Sequence, residues 1–305
     1  MKISVSTGYL LARVGFDKAF KMIKKAGFDA VDYNLSIDLA DDAEDIRRVT
    51  GYGMSEGEFC EHFTKIYEGI SACGLEVGQT HSLFGDRYYF NGKGDMYCDI
   101  TRLNIHATHL LRSRYTVIHP IRTAGRLGDA ERKECHELNL EFYRSLIPEL
   151  ECYDVIAAIE PMWKRDADGN IRSSTCSRPE EILEFIDELG SDRFCACPDF
   201  GHLYLTERDT GISVGDAIRK LGSMTRIIHA QETYLNEDKH TKPYTYGTMD
   251  WDDIASALGD VGYNGSFNFE VGGGYLENYP DRLLPEALRH LATIGKSLVK
   301  THIIK

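Results

Sequence analysis

Short apolar runs alternate along the chain with longer segments whose apolar residues recur at helical spacing. Brief runs bounded by glycine, proline or a charged side chain read as buried strands, and the longer periodic segments as helices. The predicted strands are Ile3–Val5, Ala30–Tyr33, Glu76–His81, Tyr115–His119, Val155–Glu160, Phe194–Asp199, Arg226–His229 and Ser266–Val271. The predicted helices are Phe16–Lys25, Ser55–Cys73, Met96–Ser113, Asp129–Cys152, Pro179–Leu189, Ser213–Leu221, Trp251–Leu258 and Arg282–Val299. Gly27 and Gly74 close two helices as C-caps, and Asp250 opens one as an N-cap. Pro120 and Pro161 stop two strands. Between these elements, Asp38–Asp45 reads as an exposed loop or short helix, and Ser82–Gly94 as a glycine-rich, aromatic loop. Trp163–Ser177 reads as a polar loop with room for a hairpin, and the stretch after His229 as another polar loop.

Eight strands alternating with helices, with no linker or low-complexity tract between them, predict an α/β fold: a single (β/α)8 TIM barrel over 1–305. A doubly wound open sheet would carry a glycine fingerprint in its first turn, but Thr7-Gly8-Tyr9-Leu10 holds one glycine. A hydrophobic fraction of 42% and a charged fraction of 27% are ordinary globular values. The net charge of −13 disfavours broad attraction to nucleic acid or anionic membrane. No stretch approaches the roughly 18 apolar residues of a membrane helix, and the N-terminal residues lack a signal-peptide pattern. Cys195-Ala-Cys197 alternates within a predicted strand, which suits packing better than metal or redox chemistry. The expectation is a reduced, cytoplasmic protein.

The chemistry of such a barrel gathers at the carboxyl ends of its strands. Six successive strands here end in His81, His119, Glu160, Asp199, His229 and Glu270. His202 follows Asp199 by three residues, and the loop after His229 carries Asp238 and His240. Glu160, Asp199, His229 and Glu270 together make an oxygen-rich ligand set with one nitrogen, which suits Mn²⁺, Mg²⁺ or Co²⁺ and tolerates Zn²⁺. A divalent metal ion held this way can chelate two neighbouring oxygens of a sugar, polarise a carbonyl and stabilise an enediolate. Glu160 and Glu270 come from different strands, so one could remove a proton alpha to the carbonyl while the other delivers one.

At these residues the chain resembles the xylose-isomerase-like barrel superfamily, and within it the sugar phosphate isomerase/epimerase branch. The motifs are IEPM around Glu160, PDFGH over Pro198–His202, IHAQE over Ile228–Glu232, DKHTKPYTYGTMDW over Asp238–Trp251 and FNFEV around Glu270. The resemblance spans the barrel from MKISVS onward. It implies that Glu160, Asp199, His229 and Glu270 ligate the metal, with the two glutamates as the acid/base pair used by ketose 3-epimerases. It also implies that His202 contacts a small carbohydrate substrate, and that the barrel can pair with a second copy. Ketose epimerases carry an arginine in the loop after the metal histidine. Here Lys239, His240 and Lys242 are the loop's basic residues, so isomerase, another epimerase and dehydratase all stay open.

The same superfamily holds the apurinic endonucleases of the endonuclease IV type, which bind three zinc ions through nine ligands. All nine residue types occur in order at His81, His119, Glu160, Asp199, His202, His229, Asp238, His240 and Glu270. The absence of a basic run in the loops and the charge of −13 favour the sugar enzyme over this DNA phosphodiesterase.

Among secondary candidates, Gly272–Gly274 could offer backbone N–H groups to a phosphate but reads better as a turn. Trp163, Tyr88, Tyr89, Phe90 and Tyr246 sit where aromatic rings could stack on a sugar. Phe59, Phe63 and Tyr67 are spaced as core. His62, His106, His109, His136, His290 and His302 are expected to be structural or solvated.

Overall fold

The apolar runs of the sequence lie side by side in parallel in the computed structural model, which describes residues 1–35, 43–84, 92–122 and 129–303. The chain begins with β1 (Ile3–Ser6), α1 (Gly8–Val14), α2 (Phe16–Ala26), β2 (Ala30–Asn34), α3 (Ala43–Thr50) and α4 (Glu56–Ala72). It continues through β3 (Glu76–His81), α5 (Gly94–Leu110), β4 (Tyr115–Val117), α6 (Asp129–Arg144), α7 (Ile147–Cys152) and β5 (Ile156–Ile159). A hairpin of β6 (Trp163–Arg165) and β7 (Ile171–Ser173) precedes α8 (Pro179–Leu189) and β8 (Phe194–Ala196). Next come α9 (Phe200–Thr210), α10 (Val214–Leu221) and a second hairpin of β9 (Glu232–Tyr234) and β10 (Glu237–Thr241). The chain closes with α11 (Trp251–Asp260), β11 (Phe267–Phe269), α12 (Gly273–Leu276) and α13 (Leu284–Leu298).

Seven strands form one parallel sheet in the order β11-β1-β2-β3-β4-β5-β8. The eighth position of the barrel is filled by residues 225–230, which bridge Ala196 to Thr225, Asp199 to His229 and Ala230 to Phe269. This is the predicted seventh strand. Its ladder is thin because the facing residue Pro198 has no N–H to give, and only its carbonyl receives His229 N, at 3.2 Å.

Alternation along the strands separates two environments. Ile3 and Val5 of β1 point into the apolar layer between sheet and helices, and the intervening Ser4 donates to Asn268 on β11 at 2.8 Å. Helix α2 shows why these segments are helical: Ala19, Phe20, Ile23 and Ala26 recur on one buried face, Lys24 and Lys25 lie in the last turn, and Gly27 ends it at φ +98. A second apolar cluster, with Ile118, Tyr143, Phe185 and Phe194, fills the same layer on the other side.

Several expectations change in detail. The helix expected over Asp129–Cys152 is two, because Pro148 cannot donate within a continuous helix and instead sits in the first turn of α7. The room for a hairpin in Trp163–Ser177 is used by β6 and β7, and the loop expected after His229 is the β9–β10 hairpin. Helices α1 and α9 occupy segments with no predicted element. Gly272–Gly274 forms the start of α12, and Gly274 is needed because a Cβ there would overlap the Lys239 carbonyl of β10. Residues 38–42 and 85–91, with Tyr88, Tyr89 and Phe90, lie outside the described residues. All eight cysteines are free thiols, and no helix among the described residues is long and apolar enough to cross a membrane.

The buried face of α2 yields a direct test. Phe20→Ala is expected to lower the unfolding free energy in urea by about 3–5 kcal/mol, while Lys21→Ala on the exposed face leaves it unchanged.

Candidate metal centre

Parallel register brings the predicted residues to one rim. Glu160 and Glu270 each directly follow the last residue of β5 and β11, and His81 is the last residue of β3. Asp199 is bridged to His229, and Ala230 to Phe269, so these three chain segments reach the rim together. Donor atoms of Glu160, Asp199, His229 and Glu270 all lie within 4.8 Å of one another. His229 Nδ1 is 3.3 Å from Glu160 Oε2, 3.3 Å from Glu270 Oε2 and 3.9 Å from Asp199 Oδ2.

Two further groups adjoin this one. His119 Nε2 approaches Glu160 Oε2 at 3.0 Å, and His81 Nε2 lies 3.9 Å from the same oxygen and 3.7 Å from Glu270 Oε1. On the other side, Asp238 Oδ2 accepts from His202 Nε2, His240 Nε2 and Trp163 Nε1, each at 3.1 Å. His202 Nδ1, 3.1 Å from Glu160 Oε1, ties this group to the first. All nine predicted residues are thus brought into one continuous cluster.

Several residues that the sequence reading left out hold the cluster in shape. Asp199 is the N-cap of α9: its Oδ1 accepts from His202 N at 2.7 Å and from Gln231 Nε2 at 3.1 Å. Gln231 Nε2 also reaches Asp238 Oδ1 at 3.0 Å, so one amide spaces two carboxylates. Gly201 makes this possible, since a Cβ there would overlap the Gln231 side chain. In the second hairpin, Glu237 pairs with Tyr234 and Thr241 with Glu232, so β10 carries extra residues between them. That irregularity, with His240 at φ +44, places both Asp238 and His240 beside His202.

Glu232 anchors the following loop. It is fully buried and accepts from Trp251 Nε1 at 3.0 Å and from the amides of Thr245, Tyr246 and Gly247 at 3.2, 2.7 and 3.0 Å. Successive amides with Gly247 at φ +69 make a nest for the carboxyl group. The signal for Gln231 and Glu232 was present in the IHAQE motif: two polar residues continuing directly from a buried apolar run.

Burial grades across the site. Glu160, Asp199 and His229 have essentially no exposure, Glu270 is 16% exposed and His240 32% exposed, so the cluster opens towards solvent on the Glu270–His240 side. Burial pushes the Glu160 carboxyl up, but His229 and His119 outweigh it and hold it well below the usual range. The Glu270 carboxyl is pushed up to about 8, by burial first and by Glu160 and Asp199, against the pull of His229 and His240. Burial alone would lower His229, yet Glu270 and Glu160 raise it well above the ordinary imidazole value. His202 is likewise raised by Asp199 and Asp238 against its burial. His81 falls to about 4 through burial and the neighbouring His119 and His229, so it is a neutral imidazole.

Both Glu160 oxygens, Asp199 Oδ2, Glu270 Oε2 and both ring nitrogens of His229 are buried without an aligned hydrogen-bond partner among the described residues. Buried polar atoms seldom stay unsatisfied, and anionic oxygens converging with an imidazole fit a divalent cation.

Of the remaining aromatic candidates, Trp163 reaches the site through Asp238, while Tyr246 stacks on Tyr234 at 4.7 Å at the rim. His62, His106, His109 and His136 lie away from the cluster, with partners such as the Arg48 carbonyl, the Tyr153 ring and carbonyl, and Glu188. His290 is also remote, lining a surface pocket with Thr293 and Ser297.

Residues 20–294 match the model of the Xylose isomerase-like TIM barrel family. The chain belongs to that family. A curated relative, D-psicose 3-epimerase of Enterocloster bolteae, is 32% identical over 116 residues. That match covers 38% of this chain and 33% of the relative, so the chain spans about a third of the length of the curated relative it matches. Among solved structures, D-psicose 3-epimerase in the presence of D-fructose superposes with a TM-score of 0.72 at 14% identity, covering 98% of this chain and 99% of that one. The IOLI protein with a binding zinc atom gives 0.69 at 15% identity, covering both chains fully (100% and 100%). These superpositions show a shared fold.

Within this xylose isomerase-like barrel, Glu232 sets the hairpin and its loop in place. Glu232→Ala leaves four donors facing an apolar gap and is expected to cost about 3 kcal/mol in urea unfolding, with a change in Trp251 fluorescence before the main transition.

Proposed function

We propose that the chain is a divalent-metal-dependent isomerase or epimerase of a small carbohydrate, acting by proton transfer alpha to a carbonyl. The carrying observation is the convergence of Glu160, Asp199, His229 and Glu270, donor atoms within 4.8 Å, with several of those atoms lacking an aligned hydrogen bond among the described residues. The relatives named above as sugar epimerases support the same substrate class.

These four residues would hold the cation, of which Mn²⁺, Mg²⁺, Co²⁺ and Zn²⁺ all suit the donor set. When bound, it would polarise the carbonyl and lower the cost of negative charge on the adjacent oxygens. The two glutamates follow different strands, so they can share the proton work between them. Glu160, held ionised by His229 and His119, takes the proton from the carbon alpha to the carbonyl. Glu270, on the more open side of the cluster, would return one. Return to the opposite face of the same carbon is epimerisation, and return to the former carbonyl carbon is isomerisation. His202, fixed by Asp238, contacts the substrate at the edge of the site, and the Trp163 ring beside it offers a stacking face.

A second reading has its own observation. His81, His119 and Glu160 also place donor atoms within 4.8 Å, as do His202, Asp238 and His240, which matches the three-zinc, nine-ligand pattern of endonuclease IV-type enzymes. The net charge of −13 weighs against a DNA phosphodiesterase.

Elemental analysis of protein purified without added metal separates the two: about one divalent ion per chain supports the sugar enzyme, and close to three zinc ions supports the nuclease. Asp199→Ala and His229→Ala are expected to lower metal content severalfold; unchanged occupancy in both would sink the four-ligand site. Glu160→Gln and Glu270→Gln should abolish solvent-deuterium incorporation into ketose and aldose substrates. Loading should also weaken as pH falls from 8 to 5. The carboxylates raise His229, so at lower pH a proton increasingly competes with the cation, and titration calorimetry in two buffers would register its release.

A further inference from the structure

Behind His229, on the side away from the four-ligand cluster, lies a buried carboxylate with no part in the proton transfer described above. Asp32, on β2, is 1% exposed, and its Oδ2 lies 3.3 Å from His229 Nε2. The same oxygen accepts from Asn268 Nδ2 at 3.0 Å and Gln79 Nε2 at 3.2 Å. The orientation of Asn268 follows from Ser4, whose hydroxyl donates to Asn268 Oδ1 at 2.8 Å and so leaves the NH₂ end facing Asp32. Gln79 owes its position to a register shift in β3: Val31 pairs with Val77 but Asp32 pairs with Gln79, which brings Gln79 opposite the aspartate. Residues from β11 and β3 thus meet the β2 carboxylate, with Ser4 of β1 holding one of them in place.

Asp32 Oδ2 is an acceptor only, and at 3.3 Å, although not aligned as a hydrogen bond, its negative charge favours hydrogen on the His229 nitrogen turned towards it. The other nitrogen, Nδ1, faces the oxygens of Glu160, Glu270 and Asp199, at 3.3, 3.3 and 3.9 Å. An imidazole that gives N–H on one side presents a lone pair on the other.

We propose that Asp32 is a positioning residue for His229, fixing the ring and its tautomer so that Nδ1 is the nitrogen offered to a divalent cation. This rests on the four-ligand reading of the site. Ser4, Gln79 and Asn268 serve to aim Asp32, and β2 contributes to the centre without touching the cation.

The test is Mn²⁺ binding to the full chain, followed by electron paramagnetic resonance, in wild type, Asp32→Asn and His229→Ala. Asp32→Asn is expected to weaken Mn²⁺ binding about 10- to 100-fold, with the circular dichroism spectrum of the metal-free protein unchanged. A folded Asp32→Asn chain that binds Mn²⁺ as tightly as wild type overturns the inference and leaves the four-ligand site standing. Wild type that binds no more Mn²⁺ than His229→Ala overturns the four-ligand site and this inference together. If Asp32→Asn does not fold, nitrogen-15 histidine spectra of the Zn²⁺-loaded wild type decide. Hydrogen on His229 Nε2 with a zinc-shifted Nδ1 supports the assignment, and the reverse pattern overturns it.

Discussion

The structure depends on a problem of charge: Asp32, Glu160, Asp199, Asp238 and Glu270 are gathered in a small volume that water hardly enters. Two like charges about 4 Å apart repel by roughly 4 kcal/mol even at an effective dielectric of about 20. The barrel tolerates this because an imidazole stands next to each of these carboxylates: His229 by Asp32, His119 by Glu160, His240 by Glu270, and His202 by both Asp199 and Asp238. The arrangement is stable only as a whole, since removing one partner leaves the other buried and unpaired. That condition explains why so much of the surrounding backbone is specialised.

The specialised backbone consists of close approaches. Gly201 lets an amide side chain in between two carboxylates, and Gly274 lets β10 lie against α12 with no side chain between them. The widened β10 and the register shift in β3 each re-aim inward-facing residues, His240 with Asp238 in one case and Gln79 in the other. These are local departures from regular structure, and they cluster around the charged centre. In the apolar layer outside the sheet, Ile3, Val5, Phe20 and Phe269 alternate as an ordinary strand and helix pattern requires, with Gly295 making room for the Phe269 ring.

That contrast decides what could be read from the sequence. The barrel was legible because strands buried on both faces appear as short apolar runs stopped by proline, glycine or charge. Six of the nine rim residues were legible because they fall at those stops, and His202, Asp238 and His240 because they follow shortly after them. Helix α9 was not, because Phe200, Gly201, His202, Leu203, Leu205 and Thr206 are all buried, which leaves no clean apolar stripe. The second hairpin resembled a loop because most of its residues are polar, yet Asp238 and His240 face the site while Glu237 and Lys239 face solvent. Asp32 was hidden for a related reason: a charged residue inside a strand run gives no period of its own, and its partners Gln79, His229 and Asn268 lie far away in sequence. Family membership follows from the chain as a whole, whereas the roles of Gln231, Glu232 and Asp32 emerge only from contacts.

Asp199 carries a consequence for how a cation would be gripped. Its Oδ1 is committed to the first turn of α9 and to Gln231, while Oδ2 has no partner among the described residues. The carboxylate cannot swivel to offer both oxygens without uncapping a helix. A cation held as proposed would therefore meet Asp199 through Oδ2 alone, whereas Glu160 and Glu270, neither of which caps a helix, would be freer to adjust. A centre with one stiff arm and two adaptable ones can exchange ligands on its open side while the buried side keeps its place.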